Sequence, residues 1–410
     1  MASSTKEYEM ITAKFKDSPL GPIPQDWEVK RLGDVCSITT GHKDVNEGSE
    51  LGLYPFFTCS RNVYRANSYS FDGEAILIAG NGEVGILHYY DGKFEAYQRT
   101  YVLMDFSVNV AFLRQYLSAF LMRELMDDKT GSSMPYIVLS ALSDCPIPYP
   151  SEEEQQRIAE ALGEVDKLIE SLDEQIEKKR LIAKGVAHDL LTGKKRLPGF
   201  APAGGRMQDR VRDSSLPEGW SMKQLGDCVE INPIGGQIPD EFVYVDLESV
   251  KNGCLVQNNV VLRRDAPSRA QRQFAFGDVL FQTVRPYQKN NLFVNFDASK
   301  YVASTGYAVL RERDGVSASL YIYAYLHLDS FVAQVLDKCT GTSYPAINPT
   351  ALAGIEIALP ELAEQQAIAD LLGEQDAAIA ALEAKREKYV RIKEGMMRDL
   401  LSGKVRMKGE

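Results

Sequence analysis

Three stretches of the sequence concentrate side chains that can hydrogen-bond to nucleic-acid bases and phosphates. They read CSRNVYRANSYS at 59–70, EAYQRTY at 95–101 and FQTVRPYQKNN at 281–291. Arginine, asparagine and glutamine can pair with base edges, whereas tyrosine and lysine stack on the sugar–phosphate backbone or brace it. Any one of these side chains alone is more simply a solvated surface residue. The prediction of nucleic-acid binding therefore depends on their clustering.

The third stretch lies in the most basic part of an acidic chain. The 410 residues carry a net charge of −11, which argues mildly against a simple electrostatic nucleic-acid binder. Between Lys251 and Arg313, however, ten cations face only four carboxylates. Two further loops, TGSSMPYI from Thr130 and TGTSYPAI from Thr340, offer backbone N–H groups and hydroxyls that could hold a phosphate. Without their repetition, an ordinary turn would be the preferred interpretation.

The candidate nucleic-acid contacts come from these stretches, the two loops and the basic segment. In the first body they are Arg61, Asn62, Tyr64, Arg65, Asn81, Gln98, Arg99, Ser132 and Ser133. In the second body they are Arg263, Arg264, Arg269, Arg272, Gln282, Arg285, Tyr287, Lys289, Thr342, Ser343 and Tyr344.

The short motifs that mark familiar catalytic centres are missing from the sequence. There is no Asn/Asp-Pro-Pro-aromatic motif, no GxxxxGK[ST] phosphate loop and no HExxH or HxE…PCxxC zinc signature. The six cysteines have no CxxC spacing and the four histidines are scattered, so we expect reduced thiols and no metal site. We interpret the chain as non-catalytic, without a cofactor or metal of its own. With no apolar run of ~18 residues, we also expect it to be cytoplasmic.

The elements that must position these stretches occur twice. The segment from Pro150 to Arg196 aligns without a gap with the segment from Pro360 to Arg406, and each contains EQQ near its start and LL(T/S)GK near its end. Upstream, IPQDWEVKRLGD at 23–34 is repeated as LPEGWSMKQLGD at 216–227. The bodies between these constant parts differ in length. A helix of fixed length joined to two different bodies suggests a spacer that carries two readers.

Both repeated segments predict a long helix with a coiled-coil seam. Apolar positions alternate by four and three over about five heptads, which favours pairing of one copy with the other. A helical hairpin that merely holds two domains together remains open from this pattern alone. The seam positions are Ile158, Leu162, Val165, Ile169, Leu172, Ile176, Ile368, Leu372, Ile379, Leu382 and Tyr389.

Each body is predicted to be a mixed α/β domain with short strands. Strand-like runs include AILIAGNGEVGILHYY, RTYVLMDF, DVLFQTV, NLFVNF and GYAVL, and FDGEAILI at 71–78 matches AFGDVLFQ at 275–282. Helical segments are expected at 110–128 and 317–337. The predicted fold class is thus α/β, as a pseudo-two-fold repeat of body and long helix with the two helices antiparallel.

In this ordered combination, the chain resembles the specificity subunit of type I restriction–modification systems over nearly its whole length. The resemblance rests on the Trp-containing entry, the GSSxP or GTSxP loop, EQQ and LL(T/S)GK, each present twice. It implies two target-recognition domains that read the two halves of a bipartite DNA site, and helices that set the gap. It implies these boundaries: tail 1–21, first domain 22–150, first helix 151–192, linker 193–215, second domain 216–360, second helix 361–403 and tail 404–410.

The resemblance also implies partners. The expected complex holds double-stranded DNA, two methyltransferase subunits that modify adenine N6 and two ATP-dependent restriction subunits. S-adenosylmethionine, ATP and Mg²⁺ would be bound by those subunits, which would also supply much of the phosphate neutralisation. A catalytic DNA methyltransferase or nuclease with unfamiliar motifs, a scaffold with no nucleic-acid role, and a degenerate system without its nuclease are the alternatives.

Overall fold

The computed structural model describes residues 14–126, 136–200 and 216–407. The chain divides into two compact units. Unit 1 consists of Met1–Glu174 with Glu383–Glu410, and unit 2 consists of Gln175–Leu382. Each unit therefore contains one body and about half of each long helix.

Unit 1 contains ten strands and three short or medium helices among its described residues, besides its share of the long helices. The strands are β1 Phe15–Lys16, β2 Ile23–Pro24, β3 Glu28–Arg31, β4 Ser37–Thr40, β5 Tyr54–Phe57, β6 Val63–Ala66, β7 Phe71–Ala79, β8 Leu87–Ala96, β9 Thr100–Met104 and β10 Pro146–Tyr149. The helices are α1 Leu32–Val35, α2 Val110–Met126 and α3 Leu139–Asp144, with a 3₁₀ turn at Val45–Glu47.

A six-stranded sheet of order β4-β9-β7-β8-β5-β6 forms the centre of unit 1. Its pairs are antiparallel except for β5 with β8. Side chains of β7 alternate between the faces: Ile76 and Ile78 join the core with helix α2, whereas Ala75 and Leu77 join a second core behind the sheet. This strand reads as a continuous apolar run because both its faces are buried.

Unit 2 is built from twelve strands and four helices among its described residues, again besides the long helices. The strands are β11 Ser221–Gln224, β12 Val229–Ile231, β13 Glu241–Val245, β14 Val250–Lys251, β15 Cys254–Leu255, β16 Asn259–Leu262, β17 Ala270–Gln273, β18 Val279–Gln282, β19 Leu292–Phe293, β20 Tyr301–Ser304, β21 Tyr307–Glu312 and β22 Glu356–Leu359. The helices are α5 Leu225–Cys228, α6 Ser319–Tyr325, α7 Asp329–Asp337 and α8 Pro349–Ala353, with 3₁₀ turns at Arg263–Asp265 and Pro286–Gln288.

Two four-stranded sheets, β12-β21-β18-β19 and β16-β13-β20-β17, carry the body of unit 2. As in β7, the residues of β18 alternate: Val279 and Phe281 pack in the core with α6 and α7, and Leu280 packs in a second core. The matched strands predicted at 71–78 and 275–282 thus occupy comparable central positions in their own units. The helix predicted at 317–337 is divided into α6 and α7, since the backbone is extended at Leu328.

The two long helices are α4, Glu152–Leu191, and α9, Leu362–Leu400. In unit 1, Asp166 pairs with Lys393 and Asp173 pairs with Arg386, both at 2.6 Å. One sequence number rises as the other falls, so the two helices are antiparallel there. In unit 2 the end of α4 and the start of α9 share one core. In the described chain, no helix is both long and apolar enough to cross a membrane.

The predicted seam residues are most deeply buried near the start of each long helix and near the middle of α4. The fully buried ones are Ile158, Leu162, Leu172, Ile176, Ile368 and Leu372, and the half-buried ones are Val165, Ile169, Ile379, Leu382 and Tyr389.

Helix α4 begins with a buried polar cluster in unit 1. The Trp27 indole N–H donates to Glu154 at 2.9 Å, and the Arg406 guanidinium donates to both carboxylate oxygens of Glu154 at 2.6 and 2.7 Å. Asp26 accepts two more hydrogen bonds from Arg406. These carboxylates raise the pKa of Arg406. The Ser151 hydroxyl accepts a hydrogen bond from the Glu154 N–H at 3.4 Å, while the Glu154 carboxylate is held by Trp27 and Arg406.

Helix α9 begins with the same cluster in unit 2. The indole of Trp220 donates to Glu364 at 3.0 Å, and Arg196 donates to both oxygens of that carboxylate at 2.9 and 2.6 Å. Here the guanidinium makes its remaining contact with the carbonyl of Glu218. The repeated Trp and EQQ motifs are therefore structural: they fix the start of each long helix to its body.

Glycine ends each long helix and permits a close approach. Gly193 and Gly403 have φ of +72° and +69°, the left-handed conformation that commonly terminates helices. A Cβ atom at Gly193 would clash with Pro217, and one at Gly403 would clash with Pro24. The two prolines belong to the repeated entry motifs, so in each unit the end of one repeat's long helix packs against the entry motif of the other repeat.

Candidate nucleic-acid interface

The turn after β18 presents the centre of the third polar stretch. Residues 286–288 form a 3₁₀ turn between Arg285 and Lys289, each with a φ of 54°. This left-handed conformation costs about 1–3 kcal/mol for a residue other than glycine and persists only where surrounding contacts fix the backbone. Tyr287 lies at the tip with half of its side chain exposed. Strained turns of this kind are concentrated at binding sites.

The TGTSYP loop lies directly against this turn. The Arg285 N–H donates to the Pro345 carbonyl at 2.7 Å, and the Arg285 guanidinium lies 4.3 Å from the centre of the Tyr344 ring. Such a cation–π contact contributes about 0.5–1 kcal/mol at an exposed site. Five of the predicted residues therefore share one surface, which we call the unit 2 reading surface: Arg285, Tyr287, Thr342, Ser343 and Tyr344.

Gln282 and Lys289 point under the turn instead of outward. Gln282 is 1% exposed, and its amide lies within the turn. The Lys289 ammonium donates to the carbonyl of His327 at 2.7 Å and to Asp329 at 2.6 Å. The lysine lowers the pKa of the Asp329 carboxyl, and burial lowers the pKa of His327. Both side chains, which were predicted to contact nucleic acid, instead form hydrogen bonds that support the turn, because buried polar groups need hydrogen-bond partners within the protein.

The remaining arginines of the basic segment lie on several elements. The turn between β20 and β21 links the Arg269 backbone to the end of β18: the Thr305 N–H donates to the Arg269 carbonyl at 2.8 Å, and the neighbouring Gly306 carbonyl accepts from the Thr283 N–H at 2.9 Å. Arg263 and Arg264 are exposed on the 263–265 turn, and Arg272 is half-buried on β17.

Two further cations of this segment bind groups of the protein itself. Arg311 donates to both oxygens of the buried Asp278 at 2.8 and 2.7 Å, which raises the pKa of the arginine. Arg313 donates to the carbonyl of Gly226. The positive charge counted along the sequence is therefore larger than the charge that the surface can offer to a phosphate.

In unit 1, the turn after β7 meets two other turns. Gly80 donates its N–H to the Arg99 carbonyl at 3.0 Å, and Arg61 pairs with Glu83 at 3.3 Å. Gly82 and Gly85 supply the left-handed conformations of this turn. The structure thereby gathers four predicted residues, the half-buried Asn81 and the exposed Arg61, Asn62 and Arg99.

A recess of about 270 Å³ lies beside these turns. Gln98, Arg99 and the exposed Tyr136 line it. Gln98 also donates to Asp44 at 3.4 Å. Tyr64 and Arg65 lie on β6, the edge strand of the sheet, with exposed side chains. The predicted Ser132 and Ser133 lie outside the described residues.

Within each unit, a similar backbone hydrogen bond joins two segments of the candidate surface. Ile137 N–H donates to the Gly80 carbonyl at 2.8 Å, and Ile347 N–H donates to the Thr283 carbonyl at 3.0 Å. In each unit, therefore, the segment after the TGxS loop is hydrogen-bonded to the turn that follows the central strand. The sequence repeat predicted paired loops, but it gave no sign of the supporting residues His327 and Asp329, because their contacts are distant in sequence.

The described residues contain no group of three histidine, cysteine or acidic side chains arranged to hold a metal. The six cysteines are free thiols, and burial raises the pKa of Cys36 and of Cys145 to about 12. Thiols with such pKa values are poor nucleophiles at neutral pH. The clustered polar chemistry of both units is therefore hydrogen bonding and stacking.

Comparison with known proteins agrees with this arrangement. The sequence model of the type I restriction modification DNA specificity domain matches residues 24–179 and 217–391. The chain is 27% identical to the type I restriction enzyme EcoDI specificity subunit of Escherichia coli, over 85% of this chain and 81% of the relative. It is 22% identical to the MjaIX specificity subunit of Methanocaldococcus jannaschii, over 85% and 86% of the two chains.

Solved structures share the fold. The specificity subunit of the type I system from M. genitalium gives a TM-score of 0.59 at 15% identity, covering 91% of this chain and 96% of that one. A chain from a study of assembly and conformational transition of the type I system gives 0.54 at 19% identity, covering 93% and 99%. At these identities the likeness supports the architecture alone.

Because the family model matches most of the chain in two segments, the chain belongs to the family of type I restriction–modification DNA specificity proteins. Its function is that of a specificity subunit, which recognises DNA and does not catalyse modification or cleavage. This confirms the predicted fold class, and it confirms the predicted function over two of the alternatives, a catalytic enzyme and a scaffold without a nucleic-acid role.

Proposed function

We propose that this specificity subunit reads a bipartite, asymmetric DNA site, with one half read by each unit. The duplicated architecture supports the proposal: each unit has a central strand, a turn at its end and, after the TGxS loop, a segment that is hydrogen-bonded to this turn. The side chains on and beside these turns differ, with Arg285, Tyr287 and Tyr344 in unit 2 and Arg61, Asn81 and Arg99 in unit 1. Different side chains on matching frames favour two different half-sites.

Arg285 is the best candidate for a base contact in unit 2. Its guanidinium is stacked on Tyr344, which restricts its orientation while leaving N–H donors for the major-groove edge of guanine. A bidentate contact of this kind discriminates against a wrong base by about 1–3 kcal/mol. Arg61 and Arg99 are the corresponding candidates in unit 1.

The two long helices would set the gap between the half-sites. They contain 40 and 39 residues, so they differ by a single residue while the bodies differ more. A helix of about 40 residues is about 60 Å long, which is enough to bridge more than one turn of DNA. Equal helices beside unequal bodies fit a spacer whose length is independent of the sequence that is read.

The partners in this proposal are double-stranded DNA, two methyltransferase subunits and two restriction subunits. S-adenosylmethionine, ATP and Mg²⁺ would be bound by these subunits and not by this chain. We place the activity in the cytoplasm, in keeping with the free thiols of the described residues. A net charge of −11 supports a division of labour in which the methyltransferases neutralise part of the DNA backbone.

The bipartite site is tested by mapping N6-methyladenine in a host that carries only this chain and its methyltransferase subunit. We expect one split motif with two different halves and a constant gap. A continuous motif, or a split motif with identical halves, would reject one different half-site per unit.

The division of labour is tested by measuring DNA binding at 150 mM salt with and without the methyltransferase subunit. We expect the isolated chain to bind at least about a hundredfold more weakly than the complex, since non-specific electrostatic binding needs many cations. Tight, sequence-specific binding by the chain alone would contradict it.

A further inference from the structure

The buried amide of Gln282 holds the turn of the unit 2 reading surface at several points. Its Nε2 donates to the Val284 carbonyl and to Gln288 Oε1, both at 2.8 Å, and its Oε1 accepts from the Asn290 N–H at 3.2 Å. The backbone N–H of Gln282 donates to Asn291 at 2.9 Å. A glutamine amide has two donor hydrogens and one acceptor oxygen, and here all of them are used within one turn.

This network matters because the turn is strained on both sides. Arg285 and Lys289 both adopt the left-handed conformation, which is unfavourable for residues with a Cβ atom. The comparable turn of unit 1 avoids this strain, because Gly82 and Gly85 occupy its left-handed positions. Ile78 and Ala79 end the strand before that turn and bring no side-chain amide to it.

Lys289 secures the far end of the turn. Its ammonium is held by the His327 carbonyl, which is available because the chain leaves the helical conformation between α6 and α7. The near end is held by the Arg285 N–H on Pro345. With both ends fixed, the amide of Gln282 determines the path of the backbone between them.

We propose that Gln282 is a positioning residue that presents Arg285 to the second half-site. The proposal rests on the DNA-reading function proposed above. Gln282 touches no DNA in this account: it acts by keeping the Arg285 backbone in the conformation that directs the guanidinium over Tyr344. Gln282, which the sequence predicts to contact a base, would thus lie beneath the side chains that contact the DNA and hold them in position.

The test compares Gln282→Leu, Arg285→Ala and the double variant in the complex with the methyltransferase subunit. The readout is the methylation rate on the cognate site relative to sites with one base pair changed in the half-site read by unit 2. We expect Gln282→Leu to reduce this discrimination about tenfold, comparable to the loss of one base contact. The double variant should discriminate as well as Arg285→Ala does, since both substitutions remove the same base contact.

Discrimination in the half-site read by unit 1 is the internal control and should stay within about twofold of the unsubstituted complex. Gln288→Ala provides a milder variant, because Gln288 is exposed and loses only one of the bonds to Gln282. We expect it to lower unit 2 discrimination about threefold, again without adding to Arg285→Ala. If Gln282→Leu prevents assembly, the Gln288→Ala result decides.

Full discrimination in these variants, or losses that add to that of Arg285→Ala, would overturn the positioning role. An unsubstituted complex that shows no half-site discrimination would instead overturn the DNA-reading function itself. The two failures are therefore distinguishable in one set of rates.

Discussion

Buried polar residues fix the start of each long helix. Glu154 and Arg406 are 3% and 8% exposed, and the buried Gln155 donates to the Pro150 carbonyl and accepts from the Asn109 N–H. In unit 2, Gln365 repeats these contacts with the Pro360 carbonyl and the Ala318 N–H. A buried charge retained without its partner is strongly destabilising. These residues specify the geometry of each helix start through directional hydrogen bonds.

Glu154→Gln and Glu364→Gln should destabilise their own units. We expect Glu154→Gln to lower the free energy of unfolding of unit 1 by about 3 kcal/mol, because Arg406 loses a buried carboxylate but keeps Asp26. Glu364→Gln should cost unit 2 at least as much, since Arg196 has only the Glu218 carbonyl left. Urea unfolding can be followed by fluorescence, because the chain has two tryptophans and one lies in each cluster.

Glu153→Gln is the matched control, since this neighbouring side chain is 85% exposed and should change stability by less than about 0.5 kcal/mol. Equal effects of the substitutions at Glu153 and Glu154 would contradict the buried-cluster account.

For the long helices, substitution of a helix-ending glycine tests how the end of the helix packs against an entry motif. Gly193→Ala should destabilise unit 2 by about 1–2 kcal/mol, because alanine is strained at a φ of +72° and its Cβ would clash with Pro217. Gly185→Ala serves as control: it lies inside α4 with nothing near its Cβ position and should stabilise the helix by about 0.5–1 kcal/mol. Thermal unfolding of both variants measures the difference. The same sign for both substitutions would count against the specific role of Gly193.

The spacer role of the helices is tested by matched deletions. The pairs Asp166–Lys393 and Asp173–Arg386 define the register in unit 1, so 167–173 faces 386–392. Removing both heptads keeps the apolar pattern and should shorten the permitted gap by about three base pairs, since seven residues rise about 10 Å. Methylation of a set of sites with different gaps measures this.

Deleting 167–173 alone is the control, because it removes the match between the facing helices and should abolish assembly. An unchanged gap after the matched deletion would rule out the spacer role.

For the whole molecule, the features that occur in both repeats could be predicted from the sequence, whereas features found in only one unit could not. The gap-free repeat located the long helices, and a continuous apolar run located strand β7. The left-handed Arg285 and Lys289 could not be predicted, because tertiary contacts overrule their local preference for φ below zero. The direction of Gln282 was missed because a polar residue at a strand end looks the same whether it faces solvent or supports a turn.

In the proposed function, each unit reads one half of the DNA site independently of the other. The direct measurement replaces 216–360 with the corresponding body of the Escherichia coli relative and maps N6-methyladenine in a host carrying the chimera and its methyltransferase. We predict a split motif that keeps one half and the gap of the original while the other half changes to a sequence read by the relative. A chimera that assembles but changes both halves, or neither, would contradict independent reading by the two units.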